Sequence, residues 1–389
     1  PFPIVMTRPM EASTAIPAVY PHVVSISPTI DWIFMADLAA VAATRRVVMY
    51  KYNKTTQALT WTGFVTLTFP TTGNVTLRAI RVARHLYTTG TVSVSGTAVT
   101  GSTTAWQTAR YAVGARIGFG STDPTAITTW YYISAIGSNT SITLSGSAGT
   151  VSSGPYVIEE LRVYTVNTNA TPANGGLFVA KGINADDFAA GGTTIAAATT
   201  VDNVKAVYWL ADAGTVTNTI ACGLAMQSTY TDTSHIMYVP NADAATSLRI
   251  YKYDARVALS SITAGKSTEA FVLKTGLGTV TATRSQTNNG RLETATHGPG
   301  TDTSSLYLVS TTKVYRINEA GITDANTGFV SDSMGEVPTG STSTFPLTSG
   351  FTSIEYAGTI DRFVITTGTG QPHYVTKYQT TGAQFDHVM

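Results

Sequence analysis

A pair of strands recurs along this chain, and that recurrence limits what it can fold into. An apolar strand is followed by a turn and then by a second strand ending in a tyrosine-flanked base. The first copy is Trp32-Ile33-Phe34-Met35, answered by Val47-Val48-Met49-Tyr50-Lys51-Tyr52. The second is Ile236-Met237-Tyr238-Val239 with Leu248-Arg249-Ile250-Tyr251-Lys252-Tyr253. The third is Leu306-Tyr307-Leu308-Val309 with Lys313-Val314-Tyr315-Arg316-Ile317. A degenerate fourth is Arg362-Phe363-Val364-Ile365 with His373-Tyr374-Val375-Thr376-Lys377-Tyr378. Antiparallel units this small cannot each bury a core, so they must pack on one another. The pattern predicts an all-β chain: an irregular β-propeller-like repeat domain, with several stacked β-sandwiches as the alternative. A four-stranded blade needs about 40–50 residues, which leaves room for about five to seven blades. The first copy stands far upstream of the second, so any units between them have lost the pattern.

Composition agrees with a β scaffold that lives among neighbours. Only 12% of the 389 residues are charged, about half the ordinary share. Thr, Ser, Ala and Gly take their place; Thr and the 19 Tyr suit strands, and the 34 Gly suit turns. Such a surface is soluble chiefly through hydroxyls and suits a subunit of an assembly. The net charge of +1 supplies no one-signed field for a phosphate backbone, so no direct nucleic-acid contact is expected. The lone cysteine, Cys222, excludes an internal disulfide framework and reads as a small core hydrophobe. No apolar run is long enough for a transmembrane helix, so no membrane insertion is expected. The start at Pro1 lacks a signal-peptide pattern and fits cytoplasmic synthesis with the initiator Met removed.

Three segments differ in texture. Residues 1–29 are Pro-rich and read as an extended N-terminal arm, lying across its own domain or reaching a neighbour. Residues 30–86 and 157–389 carry the propeller-like pattern. Within them, Phe34–Ala43 has helix-favouring residues, yet strand plus loop is preferred by analogy with Tyr238–Thr246. Residues 87–156 are rich in Gly, Ser and Thr and contain short strands between turn signals. They read as an inserted small β-sandwich or barrel. The stem of this insertion is Leu77–Leu86 leading in and Tyr156–Val166 leading out. Glu159 and Glu160 are expected to face Arg81 and Arg84 across it, a plain explanation for the densest basic stretch of the chain.

No specific catalytic motif is present: no phosphate loop ending in Lys-Ser/Thr, no His-Glu-x-x-His and no Gly-x-Ser-x-Gly. The six histidines, His22, His85, His235, His297, His373 and His387, lack metal-ligand spacing. Asp186-Asp187 and Glu159-Glu160 are adjacent, and on a strand neighbours point to opposite faces, so neither forms a dyad. Asp31, Asp212, Asp254 and Asp361 stand beside strands, where Asp commonly fixes a turn. No cofactor and no metal are expected. The best ligand-facing candidates are aromatics of the inserted module, Trp106, Trp130 and Tyr132. Alternation places Trp130 and Tyr132 on one face and Tyr131 and Ile133 on the other.

The run Gly90-Thr91-Val92-Ser93-Val94-Ser95-Gly96-Thr97-Ala98-Val99-Thr100-Gly101-Ser102-Thr103-Thr104-Ala105-Trp106 resembles a small Ig-like β module of tailed-bacteriophage virion proteins. Gly114-Ala115-Arg116-Ile117 and Tyr132-Ile133-Ser134-Ala135-Ile136-Gly137-Ser138-Asn139-Thr140-Ser141-Ile142-Thr143-Leu144 continue the likeness, over about a fifth of the chain. The resemblance implies a non-enzymatic virion structural protein of the tail or its hub and nozzle region. Its partners would be copies of itself and other virion structural proteins. A receptor- or glycan-binding virion protein, with a host surface glycan as partner, is the alternative; a propeller glycosidase is the third reading.

Overall fold

The computed structural model describes residues 18–41, 44–71, 75–169, 175–199 and 203–212. Beyond these it describes Leu224, Gly265 and the strands given below. The chain is all-β. Among the described residues there is no α-helix, and the two 3-10 turns are Pro124–Ala126 and Ala185–Asp187. No helix among them is long and apolar enough to cross a membrane. Two compact units are present: Pro1–Ala211 with Val257–Glu269, and Asp212–Arg256 with Ala270–Met389.

The first unit begins with an antiparallel meander of β1 (Ala18–Ser27), β2 (Ile30–Val41), β3 (Thr44–Asn53) and β4 (Ala58–Thr68). Its strands alternate with period two. Trp32, Phe34, Ala36, Val47, Met49, Val65 and Leu67 face one core. Met35, Val48 and Tyr50 face a second, smaller cluster with Trp61 and Phe64. The strand reading of Phe34–Ala43 holds, and β2 runs on to Val41. The segment read as an arm supplies β1 in its second half, paired along β2; residues 1–17 lie outside the described residues.

The chain then enters β5 (Val75–Tyr87). Six short strands follow: β6 (Thr91–Ser95), β7 (Ala98–Ser102), β8 (Arg116–Phe119), β9 (Trp130–Ser138), β10 (Ser141–Leu144) and β11 (Thr150–Gly154). They are paired in the order β11-β6-β7-β10-β9-β8. Next comes the long β12 (Tyr156–Asn169), which pairs with β8 at its start. Only Pro155 separates β11 from β12, so this continuous run pairs with both edges and closes the sheet into a small barrel. An Ig-like module would instead be two packed sheets; the pairing here is one sheet closed on itself. Val92, Val94, Val99, Ile117, Ile133, Ile142, Leu144 and Ile158 fill it.

Past the barrel, β12 pairs along β5, from Ile158 opposite Tyr87 to Asn169 opposite Val75. With β13 (Gly176–Ile183) and, after the short β14 (Thr193–Ile195), β15 (Ala206–Asp212), they make a second meander, β5-β12-β13-β15. Leu77, Val82, Leu161, Val163, Phe178 and Trp209 bury one of its faces against the first meander. The first strands of the two meanders lie side by side: the Val82 amide donates to His22 Nδ1 at 3.1 Å, and Arg84 donates to the Ile26 carbonyl at 3.3 Å. Inner strands of adjacent propeller blades are arranged in this way.

The second unit repeats the scheme. β16 (Ile220–Ala221) and β17 (Ala225–Met226) both pair with β18 (Ile236–Ala244), which pairs with β19 (Ser247–Asp254). The chain makes β20 (Ile262–Thr263) and β21 (Lys266–Ser267), both in the first unit, before β22 (Val272–Leu277) completes this sheet. Two further meanders follow: β23 (Leu292–Ala295), β24 (Ser305–Val309), β25 (Lys313–Asn318) and β26 (Ser331–Glu336); then β27 (Phe351–Ala357), β28 (Arg362–Thr367), β29 (Pro372–Thr376) and β30 (Phe385–Asp386). Within this unit too, β17 abuts β23 and β23 abuts β27.

The four copies of the sequence repeat occupy the second and third strands of four meanders: β2 and β3, β18 and β19, β24 and β25, β28 and β29. In three of them the register sets an aromatic directly opposite a base: Trp32 and Lys51, Tyr238 and Lys252, Tyr307 and Arg316. The degenerate copy sets Arg362 opposite Thr376. The meander β5-β12-β13-β15 is the unit without the pattern.

The hairpin of β20 and β21 adds to the open edge of β15, with Trp209 opposite Lys266 in parallel register. The Trp209 amide donates to the Gly265 carbonyl at 3.0 Å, and the Lys266 ammonium lies 4.0 Å from the Trp209 ring centroid. Gly265 has φ of +78°, and a Cβ there would lie 2.1 Å from the Ala198 carbonyl oxygen. Gly265→Ala is therefore expected to destabilise the first unit by about 1–3 kcal/mol. Denaturant unfolding followed by tryptophan fluorescence checks this.

Candidate functional site

One ion-pair cluster of the first unit lies where the barrel's outer face meets the core between its two meanders. β12 alternates, so its odd positions run from that outer face into the core: Glu159 first, then Leu161 and Val163. Glu159 is fully buried. The strand beside it on one flank is β8, with Arg116 in direct register. On the other flank is β5, where Arg84 stands opposite Leu161 and reaches diagonally. Arg84 Nε donates to Oε2 at 2.7 Å and its terminal nitrogen lies 2.6 Å away. Arg116 Nε donates to Oε1 at 2.8 Å, again with a terminal nitrogen at 2.6 Å. Each oxygen thus receives two nitrogens of one guanidinium, charge-assisted contacts that offset the burial of the carboxylate. Glu159 meets Arg84 as the sequence reading expects. Glu160 points to the opposite face and binds Arg162 on its own strand at 3.0 Å, while also accepting from the Gly182 amide.

Arg116 continues outward. Its guanidinium sits 4.3 Å from the centroid of Trp130 and 3.6 Å from Asp186 Oδ2. β9 pairs with β8 so that Tyr132 lies opposite Arg116 and Trp130 opposite Gly118. A Cβ at Gly118 would meet Ile127 at 2.4 Å, so this glycine leaves room for the Ile127 side chain. The Tyr132 hydroxyl donates to Asp186 Oδ2 at 2.7 Å. Hydrogen bonding to Asp186 and partial burial push its phenol up to about 12.

Asp186 is placed by its neighbours in sequence. The run Asn184-Ala185-Asp186-Asp187 forms a capping box around a single 3-10 turn. Asn184 Oδ1 accepts from the Asp186 amide at 2.9 Å, and Asp187 Oδ2 accepts from the Asn184 amide at 2.9 Å. Asn184 Nδ2 then donates to the Gly114 carbonyl at 2.8 Å, two residues before Arg116. Asp187 turns away and takes Lys205 at 2.6 Å. The two aspartates diverge because they are successive residues of a capped 3-10 turn, and not because they alternate on a strand.

Of the three aromatics singled out from the sequence, the structure brings two together. Trp130 is half-buried on Arg116, and Tyr132 is 39% exposed on the same face. Tyr131 packs on the barrel core with buried Ile133. Trp106 is the correction: it is completely buried in the barrel, its indole N–H donating to the Tyr156 hydroxyl at 3.0 Å. Tyr156 in turn donates to the Thr89 carbonyl at 2.7 Å, and burial pushes its phenol up. Trp106 is therefore unavailable to a ligand. Arg116 is the member that the sequence reading missed; Asp186 enters it only as half of a carboxylate pair, and its meeting with Tyr132 and Arg116 was not foreseen.

Asp31 bonds Lys54 at 2.8 Å and Ser25 at 2.7 Å, a turn-fixing role. Asp212 ends β15, and Asp254 stands opposite Ile236. Cys222, Asp361, His235, His297 and His387 lie outside the described residues. Among the described residues no three His, Cys, Asp or Glu side chains converge on one point.

No family model matches the chain, and no curated protein matches it. Among solved structures it is similar to one described as "Phage phi92 endosialidase", with a TM-score of 0.36 and 10% identity. The match covers 95% of this chain and 56% of the other, so the chain spans little more than half the length of that structure.

Two outcomes are expected from this geometry. Glu159→Gln leaves the largely buried Arg84 without its counter-charge and Arg116 with only the more distant Asp186, and costs on the order of 3 kcal/mol, read by urea unfolding. Asp186→Asn removes the main cause of the raised Tyr132 phenol. In an alkaline titration of tyrosinate absorbance the wild type should hold Tyr132 back to about 12, with the buried Tyr156 held back as well, and the variant should return one of the two toward about 10. The raised folded value means that Tyr132 adds stability up to the ordinary tyrosine range, and that this is lost as pH rises through its folded one.

Proposed function

We propose that this chain is a non-enzymatic structural component of a tailed-bacteriophage virion, in the tail or its hub and nozzle region. It assembles with copies of itself and with neighbouring virion proteins. The observation that carries the reading is the outer face of the barrel. Thr91, Ser95, Ala98, Thr100, Ser102, Ser141 and Thr143 are exposed there, and β6, β7, β10 and β11 hold no charged residue at all. Covering such a face removes no charge from water, and interface centres are depleted in charge for that reason. The same barrel carries the sequence resembling the virion module, and the Glu159 pairs fix it to the meander beside it.

The test places charge in the middle of that face. Thr100 pairs with Ser93 on one side and Ser141 on the other. The full chain is expected to form a discrete closed oligomer in analytical ultracentrifugation, and Thr100→Glu to prevent it with the thermal transition unchanged. Mass spectrometry of purified particles should find the chain in a fixed copy number. A chain that stays monomeric at all concentrations and is missing from particles overturns the reading.

A further inference from the structure

We infer that Trp130, Tyr132 and Asp186 form a binding subsite for a neutral saccharide on the outer face of the barrel. The first observation is rigidity at an exposed place. An exposed aromatic normally keeps its rotamer freedom and loses it on binding. Here Trp130 lies on a guanidinium that is itself fixed by two contacts to buried Glu159. Tyr132 is held by its bond to Asp186, and Asp186 by the capped turn and its link to Gly114. A chain of contacts thus runs from a buried carboxylate to two surface rings, so their ordering is complete before any ligand arrives.

The second observation is the set of groups left for a partner. Tyr132 is the one aromatic among the large hydrophobic side chains exposed in the described residues. The Asp186 side chain is 56% exposed and uses Oδ2 for Tyr132 and Arg116; Oδ1 accepts from no described residue. The Trp130 indole N–H donates to no described residue. Two rings about 7 Å apart along one strand face, one carboxylate oxygen and one N–H stand together. Ring faces are electron-rich and take the weakly positive C–H face of a sugar. A carboxylate oxygen accepts from sugar hydroxyls, and the indole N–H donates to one.

Charge decides the class of sugar. Arg84 and Arg116 are balanced by Glu159 and Asp186, and the outermost charge is the Asp186 carboxylate. An acidic saccharide would bring its own carboxylate against Asp186, so the site selects neutral ones. This inference stands apart from the virion reading, since its test needs no particle and no oligomer.

The experiment titrates the full chain with neutral oligosaccharides of glucose, galactose, mannose and N-acetylglucosamine, and with oligosialic acid. Tryptophan fluorescence and protein-observed NMR are the readouts. At least one neutral oligosaccharide is expected to bind with saturation, and oligosialic acid is expected not to. Trp130→Ala should weaken binding at least about tenfold and Tyr132→Phe by about two- to fivefold, because the second keeps its ring but frees Asp186. Asp186→Asn, at an exposed position, should also weaken binding while the chain stays folded, with the melting temperature lowered by no more than a few degrees. The inference is overturned if no neutral saccharide binds, if only the acidic one does, or if binding survives both Trp130→Ala and Asp186→Asn.

Discussion

Two guanidiniums closing on one buried carboxylate hold the first unit's parts in register. A carboxylate has about four sites for donors, and Arg84 and Arg116 between them approach both oxygens of Glu159 with two nitrogens each. The arrangement offsets desolvation only in a narrow range of geometry, which makes it a positional constraint. Arg84 also reaches the Ile26 carbonyl of β1 and lies near the Trp32 ring. One carboxylate therefore ties together the barrel, the second meander and the first. β12 makes this possible, because its first residues close the barrel and its remainder is a central strand of the meander.

The sequence pattern located the middle strands of four meanders because those strands carry local periodic signals. In the second meander β5 and β12 were legible as the stem of the insertion, but β13 was not. Every residue of β13 is buried, so Gly176-Leu177-Phe178-Val179-Ala180-Lys181-Gly182-Ile183 shows no alternation. A strand covered on both faces reads as a continuous apolar run and loses the signature. β1 was hidden by Pro21 and by the prolines that flank it, Pro17 and Pro28. Pro21 lacks an amide hydrogen, yet it falls at the register shift between Val19 and His22, where the ladder with β2 is already interrupted.

At the candidate site, the alternation of Trp130 and Tyr132 was readable because it is local to β9. The fate of Trp106 was not. It sits in an aperiodic stretch after β7, and the partner that buries its N–H, Tyr156, lies fifty positions away in sequence. Asp186 shows the same division. Its capped turn is written in four consecutive residues, whereas its meeting with Tyr132 depends on the bond from Asn184 to Gly114.

The hairpin of β20 and β21 gives the chain a synthesis order. The edge of β15 is completed only by residues translated after β19. A ribosome has therefore already made a large part of the second sheet system before the first can seal its border. Until then Trp209 waits without the Gly265 carbonyl that receives its amide. Any fragment ending near residue 212 would stay permanently at that unfinished stage, with an open strand edge ready to recruit another chain.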